Sequence, residues 1–142
     1  MFDHILFPTD GTERTDAVLE YALDMAETRD ATLHVLSVVD DRSFLTLDDD
    51  RVDEVRSDLE AQARSAVDAA VDAAADRGIP TTSAVDVGDP SPAIIEYIEE
   101  AGIDLVVMGT SGDNYERNIV GSVSQRVVKQ SPVPVLTVRI EE

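Results

Sequence analysis

Leu105-Val106-Val107-Met108-Gly109-Thr110-Ser111-Gly112, followed by Asp113-Asn114-Tyr115-Glu116-Arg117-Asn118 and then Gly121-Ser122-Val123-Ser124, is the stretch that decides the reading of this 142-residue chain. The apolar run Leu105 to Met108 reads as a buried strand, the glycine-bracketed 109–112 as a loop, and Gly121-Ser122 as the opening of a helix. A strand that ends in glycine, with a second glycine directly before a helix, suits an oxyanion. Glycines let main-chain N–H groups approach closely, and a helix start offers unpaired donors at the positive end of its dipole. The stretch therefore reads as a cradle for nucleotide phosphates.

The rest of the chain alternates strand and helix around it. His4 to Thr9 reads as a buried strand closed by Pro8, and Pro8-Thr9-Asp10-Gly11 as a turn with Thr12 or Asp10 capping the next helix. That helix, 13–29, sets Val18, Ala22, Met25 and Ala26 on one face. The near-continuous apolar run 31–39 is a second strand covered on both faces. Acidic, turn-like 40–50 reads as a mobile loop with a small apolar patch at Phe44, Leu45 and Leu47.

A long alanine-rich helix follows over 51–77, its inward stripe Val52, Val55, Leu59, Ala63, Val67, Ala70 and Ala74, stopped by Gly78. Residues 81–87 read as a third strand at an edge. Asp89-Pro90-Ser91-Pro92 starts a helix with Ser91 as N-cap; Ile94, Ile95 and Ile98 face inward, and Gly102 ends it. Strand four is 104–108, the last helix 121–130 and the last strand 133–140.

Five strands alternating with four helices imply a single α/β domain over 1–142, an open parallel five-stranded sheet with helices on both faces, in the order 3-2-1-4-5 if strand one is central and strand four lies beside it. Ligands of such sheets sit beyond the carboxyl ends of the strands, where strand order reverses. With strands one and four adjacent there, 8–10 and 109–112 flank one crevice. Those are the two loops with the most ligand-like composition.

Composition narrows the function classes. No cysteine means no disulfide framework and no thiol chemistry. The amino-terminal stretch is too short and acidic for a signal peptide and no apolar run approaches a membrane span, so the expectation is a soluble cytoplasmic protein with no membrane partner. Thirty acidic residues against 11 basic ones give a net charge of −19, with Lys129 the sole lysine. Spread over the first three helices rather than run into a tail, this acidity reads as adaptation to high salt, where a Debye length of about 3 Å at 1 M makes self-repulsion tolerable. It also excludes duplex nucleic acid, which needs phosphate-neutralising lysines and arginines.

The glycine loop is not a Walker P-loop, since no lysine follows either glycine, nor a dinucleotide fingerprint, which would sit after strand one. As a pattern alone it serves two readings equally. Gly109 and Gly112 can be plain turn residues, and Ser122 with Gln125 makes a Ser-x-x-Gln capping box. Five stretches taken together tilt the balance: Ile5-Leu6-Phe7-Pro8-Thr9-Asp10-Gly11, Val38-Val39-Asp40, Val106-Val107-Met108-Gly109-Thr110, Gly121-Ser122-Val123-Ser124-Gln125-Arg126-Val127 and Pro132-Val133-Pro134-Val135-Leu136. Over its whole length the chain resembles a universal stress protein domain of the UspA type, with the adenine-nucleotide alpha-hydrolase-like fold.

That resemblance implies a homodimeric stress-response module that binds ATP, with Mg²⁺ as a candidate companion. It implies Asp10 and the Val38 backbone on the adenine side, Pro8 and Thr9 shaping that wall, and Met108 and Gly109 along the ribose. Gly112, Gly121, Ser122 and Val123 would hold phosphates, with Ser124 joining through its hydroxyl. The ATP-binding branch carries Gly-x-x-Gly, nine residues, then Gly-Ser or Gly-Thr. Here only eight residues separate Gly112 from Gly121, and Asp113-Asn114-Tyr115-Glu116 stands where arginine and glycine are common. A carboxylate about 4 Å from a phosphate costs roughly 1 kcal/mol in water. Arg117 or Mg²⁺ could offset it.

The residues leave three functions open: the nucleotide-binding module, a scaffold of the same fold whose shortened acidic loop has closed the pocket, and a slow ATPase or autophosphorylating phosphotransferase using Ser111 or Ser124. No catalytic constellation accompanies the last. His4 and His34 read as structural, two histidines without cysteine make no zinc site, and the aspartates of 40–41 and 48–50 read as a solvated loop. The last strand, Val133-Pro134-Val135-Leu136-Thr137-Val138-Arg139-Ile140, would form an apolar sheet edge that invites another chain. The resemblance implies an antiparallel strand-to-strand homodimer through it.

Overall fold

The structure of the chain, a computed structural model, describes residues 1–10, 15–44, 47–111 and 119–140, with the backbone alone at 43, 49, 111 and 119–122. Its elements are β1 (His4–Thr9), α1 (Asp16–Arg29), β2 (Thr32–Asp40), α2 (Asp49–Asp76), β3 (Thr81–Gly88), α3 (Pro90–Ala101), β4 (Leu105–Ser111), α4 (Ile119–Gln130) and β5 (Val135–Ile140). All neighbours pair in parallel, in the order β3-β2-β1-β4-β5, with β1 central and β4 beside it.

Side-chain period two divides the sheet into two apolar faces. Ile5, Phe7, Leu33, Val35, Leu105 and Val107 meet Val18 and Ala22 of α1 and Val67, Ala70 and Ala74 of α2. Leu6, Leu36, Val106 and Met108 meet Ile94 and Ile98 of α3 and Val123 and Val127 of α4. Each such side chain taken wholly from water is worth about 1.5–3 kcal/mol. Exposed pairs such as Arg56–Glu60 (3.0 Å) and Arg77–Glu20 (2.7 Å) contribute roughly 0–1 kcal/mol each, so packing on the two faces holds the fold. The inward stripe of α2 is buried only from Ala63 onward; Val52, Val55 and Leu59 are partly covered.

Several local expectations are corrected. The N-cap of α1 is Thr15, without a side-chain capping bond, rather than Asp10; Thr12 lies outside the described residues. Leu23 joins the buried face of α1, whereas Met25 is only partly covered. The N-cap of α3 is Asp89 with Pro90 at the first helical position; Ser91 lies inside the first turn on the stripe of Ile94 and Ile98, its buried hydroxyl without a partner among the described residues. Gly102, at φ 68°, supplies the left-handed turn that ends α3, as read.

The expected mobile loop after β2 is instead largely structured. A 3₁₀ turn (Asp41–Ser43) leads to Phe44, only 4% exposed, which packs with Val39 and Ala63 over Leu59, Val55 and Val87. One aromatic ring buried in a satellite cluster is enough to pin a polar segment. Leu45 lies outside the described residues.

Candidate functional site

The crevice begins where two neighbouring strands stop pairing. β1 pairs β2 through six residues, His4 to Thr9, but pairs β4 only at Ile5–Leu105 and Leu6–Val106. β4 continues to Ser111, bonded to β5 on its other side. The carboxyl halves of β1 and β4 therefore part at the point where strand order reverses. Main-chain polar groups on both walls are left facing the gap.

Pro8 explains part of this separation. The Asp3 carbonyl accepts from Thr32 on the β2 side, and the His4 carbonyl accepts from Asp104 on the β4 side. Polar groups alternate sides along a strand, so the even-numbered residues of β1 address β4. Pro8 falls in that phase and has no N–H to offer, which is tolerable in a central strand only where no ladder bond is needed. It lies within β1 rather than closing it.

The predicted site residues distribute over the two faces. Met108 (3% exposed) and Val123 (8%) are in one apolar cluster with Leu6, Leu36 and Val106, and Val38 packs against it. Core packing is thus a full role for these three side chains, and any ligand contact from Val38 comes from its backbone. Thr9 turns to the opposite face, where its hydroxyl meets that of Thr15 at 2.8 Å in a buried contact that fastens β1 to the start of α1. Asp10 is exposed just beyond β1, at the mouth of the gap. Ser124 is 1% exposed, inside α4.

Gly109 is corrected. It belongs to β4, paired with Val138, not to a loop. A Cβ built there would lie against the Ile140 side chain, 2.9 Å from its Cγ1, and 3.1 Å from Val18 Cγ2. Close packing of β5 and α1 against position 109 favours glycine there. The helix start is corrected as well. α4 begins at Ile119, so Gly121 and Ser122 lie in its first turn and Ser122 is not its cap. Gly112, with 113–118, lies outside the described residues.

The described rim is acidic. Asp40 accepts from Arg42 through both carboxylate oxygens, at 2.9 Å and 3.1 Å from Nε and 2.6 Å from the terminal nitrogen, and also accepts from the Arg42 backbone N–H at 3.0 Å. The Arg42 side chain beside it holds the Asp40 carboxyl below the usual range. Asp89 and Asp41 add to the field around the same guanidinium. The clasp ties the carboxyl end of β2 to the turn that follows it.

Two features escaped the sequence reading. His4 and His34, far apart in the chain, touch because Leu6 is in register with His34, and both reach α3 through Tyr97. A groove of about 520 Å³ lies between α2 and β3, lined by Arg56, Arg64, Glu60 and Asp86 with Val85 and Val87; its charges are balanced, so it has no evident ligand class. Among the described residues no three His, Cys, Asp or Glu side chains are grouped to hold a metal, and no helix is long and apolar enough to cross a membrane.

An open parallel sheet in this order, parted at its reversal point, is of the adenine nucleotide alpha-hydrolase-like fold. The profile of the universal stress protein family matches residues 1–139, and the chain belongs to that family. Universal stress protein MJ0531 of Methanocaldococcus jannaschii is 31% identical over 141 residues, spanning 98% of this chain and 83% of the relative. The solved structure of MJ0577, from the same organism, superposes with a TM-score of 0.84 at 26% identity and covers 100% of this chain and 99% of its own. A universal stress protein solved in complex with cAMP shares the fold, with a TM-score of 0.75 at 22% identity over 98% of both chains.

Proposed function

We propose that this chain binds an adenine nucleotide, ATP with Mg²⁺, in the gap between the carboxyl halves of β1 and β4, and acts as a homodimeric, cytoplasmic stress-response module. The observation that carries the reading is the parting of β1 from β4 beyond Leu6–Val106, which leaves main-chain donors facing a cleft at the switch point. In this reading Asp10 and the Val38 backbone meet the base, with Met108 along the ribose. Gly112 and the first turn of α4, at Gly121, Ser122 and Val123, take the phosphates, with Ser124 behind them. The fold holds cAMP in one solved neighbour, which is consistent with an adenine site here. The acidic surface is an adaptation to high salt.

Binding rather than turnover is the proposed activity, because no general base accompanies a nucleophile at the described rim. Calorimetry with ATP and Mg²⁺ in high salt tests it. Heat of binding is expected from the native chain and none from Gly121→Val, whose side chain would crowd the closest approach of main chain to phosphate.

A second reading is specifically favoured by the acidity around the crevice: a scaffold of the same fold that takes no nucleotide. Asp40, Asp41 and Asp89 gather around Arg42 at the carboxyl end of β2, and 113–116 carries two further carboxylates. Absence of binding heat from the native chain at saturating Mg²⁺ selects this alternative.

A further inference from the structure

At the amino end of the sheet, opposite the crevice, three polar rings join β1, β2 and α3. His4 Nδ1 lies 3.1 Å from His34 Nε2, and His34 Nδ1 lies 2.9 Å from the Tyr97 hydroxyl. The rings meet edge to face, with centroids 5.3 Å and 5.7 Å apart. His34 is 6% exposed, whereas His4 and Tyr97 are half-buried. The nucleotide reading uses none of them. We propose that His4, His34 and Tyr97 form an acid-released clasp that fastens α3 to the amino edge of the sheet.

The argument is a count of hydrogens. Each of the two contacts has room for one. With both imidazoles neutral, one hydrogen lies between the two histidines and one between His34 and Tyr97, so every facing atom is satisfied. A single added proton is also accommodated. Whichever ring takes it, one hydrogen still lies between the two imidazoles and His34 donates Nδ1–H to the Tyr97 oxygen. A second proton is not accommodated. Both nitrogens facing across 3.1 Å would bear hydrogen, and two like charges would share one site with no acceptor between them. Protonation of His34 while His4 is also protonated is the event that opens the clasp.

The surroundings set the direction. Burial, and then the neighbouring His4, lower the His34 pKa from its ordinary 6.5. A base depressed in the folded state contributes stability that is complete above pH 6.5 and is lost as pH falls through its lowered folded value. Burial, and then Asp86, push Tyr97 upward, so its hydroxyl keeps its proton throughout. The other charges facing the cluster are acidic. Asp86 comes from β3, and Glu96 and Glu100 flank Tyr97 on α3. Asp104, ahead of β4, accepts the backbone N–H groups of Asp3 and His4 at 3.0 Å and 3.2 Å.

Histidine-resolved NMR titration of the full chain in high salt, with amide hydrogen exchange of α3 corrected for intrinsic pH dependence, tests the clasp. The expected result is that His34 protonates below pH 6.5 and that protection of α3 falls over the same interval. His4→Gln removes the like charge and shifts the His34 midpoint upward. Tyr97→Phe lowers α3 protection at neutral pH and flattens its pH response. An identical His34 midpoint in the native chain and His4→Gln overturns the proposal. So does α3 protection that stays level while His34 titrates. Neither outcome depends on nucleotide.

Discussion

Gly109 and Ile140 are packed so closely that residue 109 has no space for a methyl group: its built Cβ lies 2.9 Å from Ile140 Cγ1, with Val18 Cγ2 on the other side at 3.1 Å. Gly109→Ala should therefore destabilise the chain by about 1–3 kcal/mol through overpacking. Ile140→Val, which removes the methyl nearest position 109, should recover part of that loss when combined with it. Chemical denaturation of the two single variants and the double variant reads the coupling directly. Strict additivity would mean that the contact does not explain the glycine.

The Asp40–Arg42 clasp makes a prediction at acid pH. Asp40 is depressed below its ordinary 3.8, chiefly by the hydrogen bonds from Arg42, so its contribution is present above pH 3.8 and is lost as pH falls through the folded value. Arg42→Gln should lower stability slightly at neutral pH and make the decline below pH 4 shallower. Denaturation midpoints measured from pH 2 to pH 7 in Arg42→Gln and in His4→Gln separate this from the His34 effect, which sets in as pH falls below 6.5. An unchanged acid limb would assign the decline to other carboxylates.

Net charge governs the response to salt. With −19 on 142 residues, self-repulsion opposes the compact state until counterions screen it. The melting temperature should rise steadily between about 0.1 M and 1 M potassium chloride, as the Debye length falls from about 10 Å to about 3 Å. Calorimetric scans across that series check it, and a flat response would remove salt adaptation as the account of the acidic surface.

β5, the last strand of the sheet among the described residues, carries the dimer prediction. Val106 donates to the Pro134 carbonyl, so even-numbered β5 residues address β4 and Thr137 turns its backbone N–H to solvent. Leu136, 38% exposed, and Val128 of α4, 53% exposed, leave this flank partly apolar. Thr137→Pro removes one outward donor and leaves the β4–β5 ladder in place. Light scattering should then give a monomer mass for the variant and a dimer mass for the native chain at micromolar concentration, with unchanged circular dichroism.

Element order and strand order were legible because apolar runs of strand length alternate with 3.6-residue stripes, and this pattern has few topological solutions. The parting of the sheet at its reversal point was legible, but the packing around it was not. Gly109 stands in a pattern that serves ligands and packing alike, and its packing against Ile140, far away in sequence, could not be read from that pattern. Ser91 follows a proline and looks like a cap, yet Asp89 takes that role and Ser91 continues the stripe of Ile94 and Ile98. The burial of Phe44 was hidden because acidic neighbours outweigh one aromatic ring in any local average. The His4–His34–Tyr97 line could not be read at all, since each member looks isolated until strand register brings them together.

Pro8 has one more implication. A seam between two parallel strands normally closes by trading amide protons for carbonyl oxygens, and at this rung the covalent structure of an imino acid withholds the proton. The opening beside β4 is therefore inherited from the polypeptide itself and does not wait on a guest to pry it apart. Whatever enters meets walls already separated, and the entropy of holding them so was spent when the chain folded.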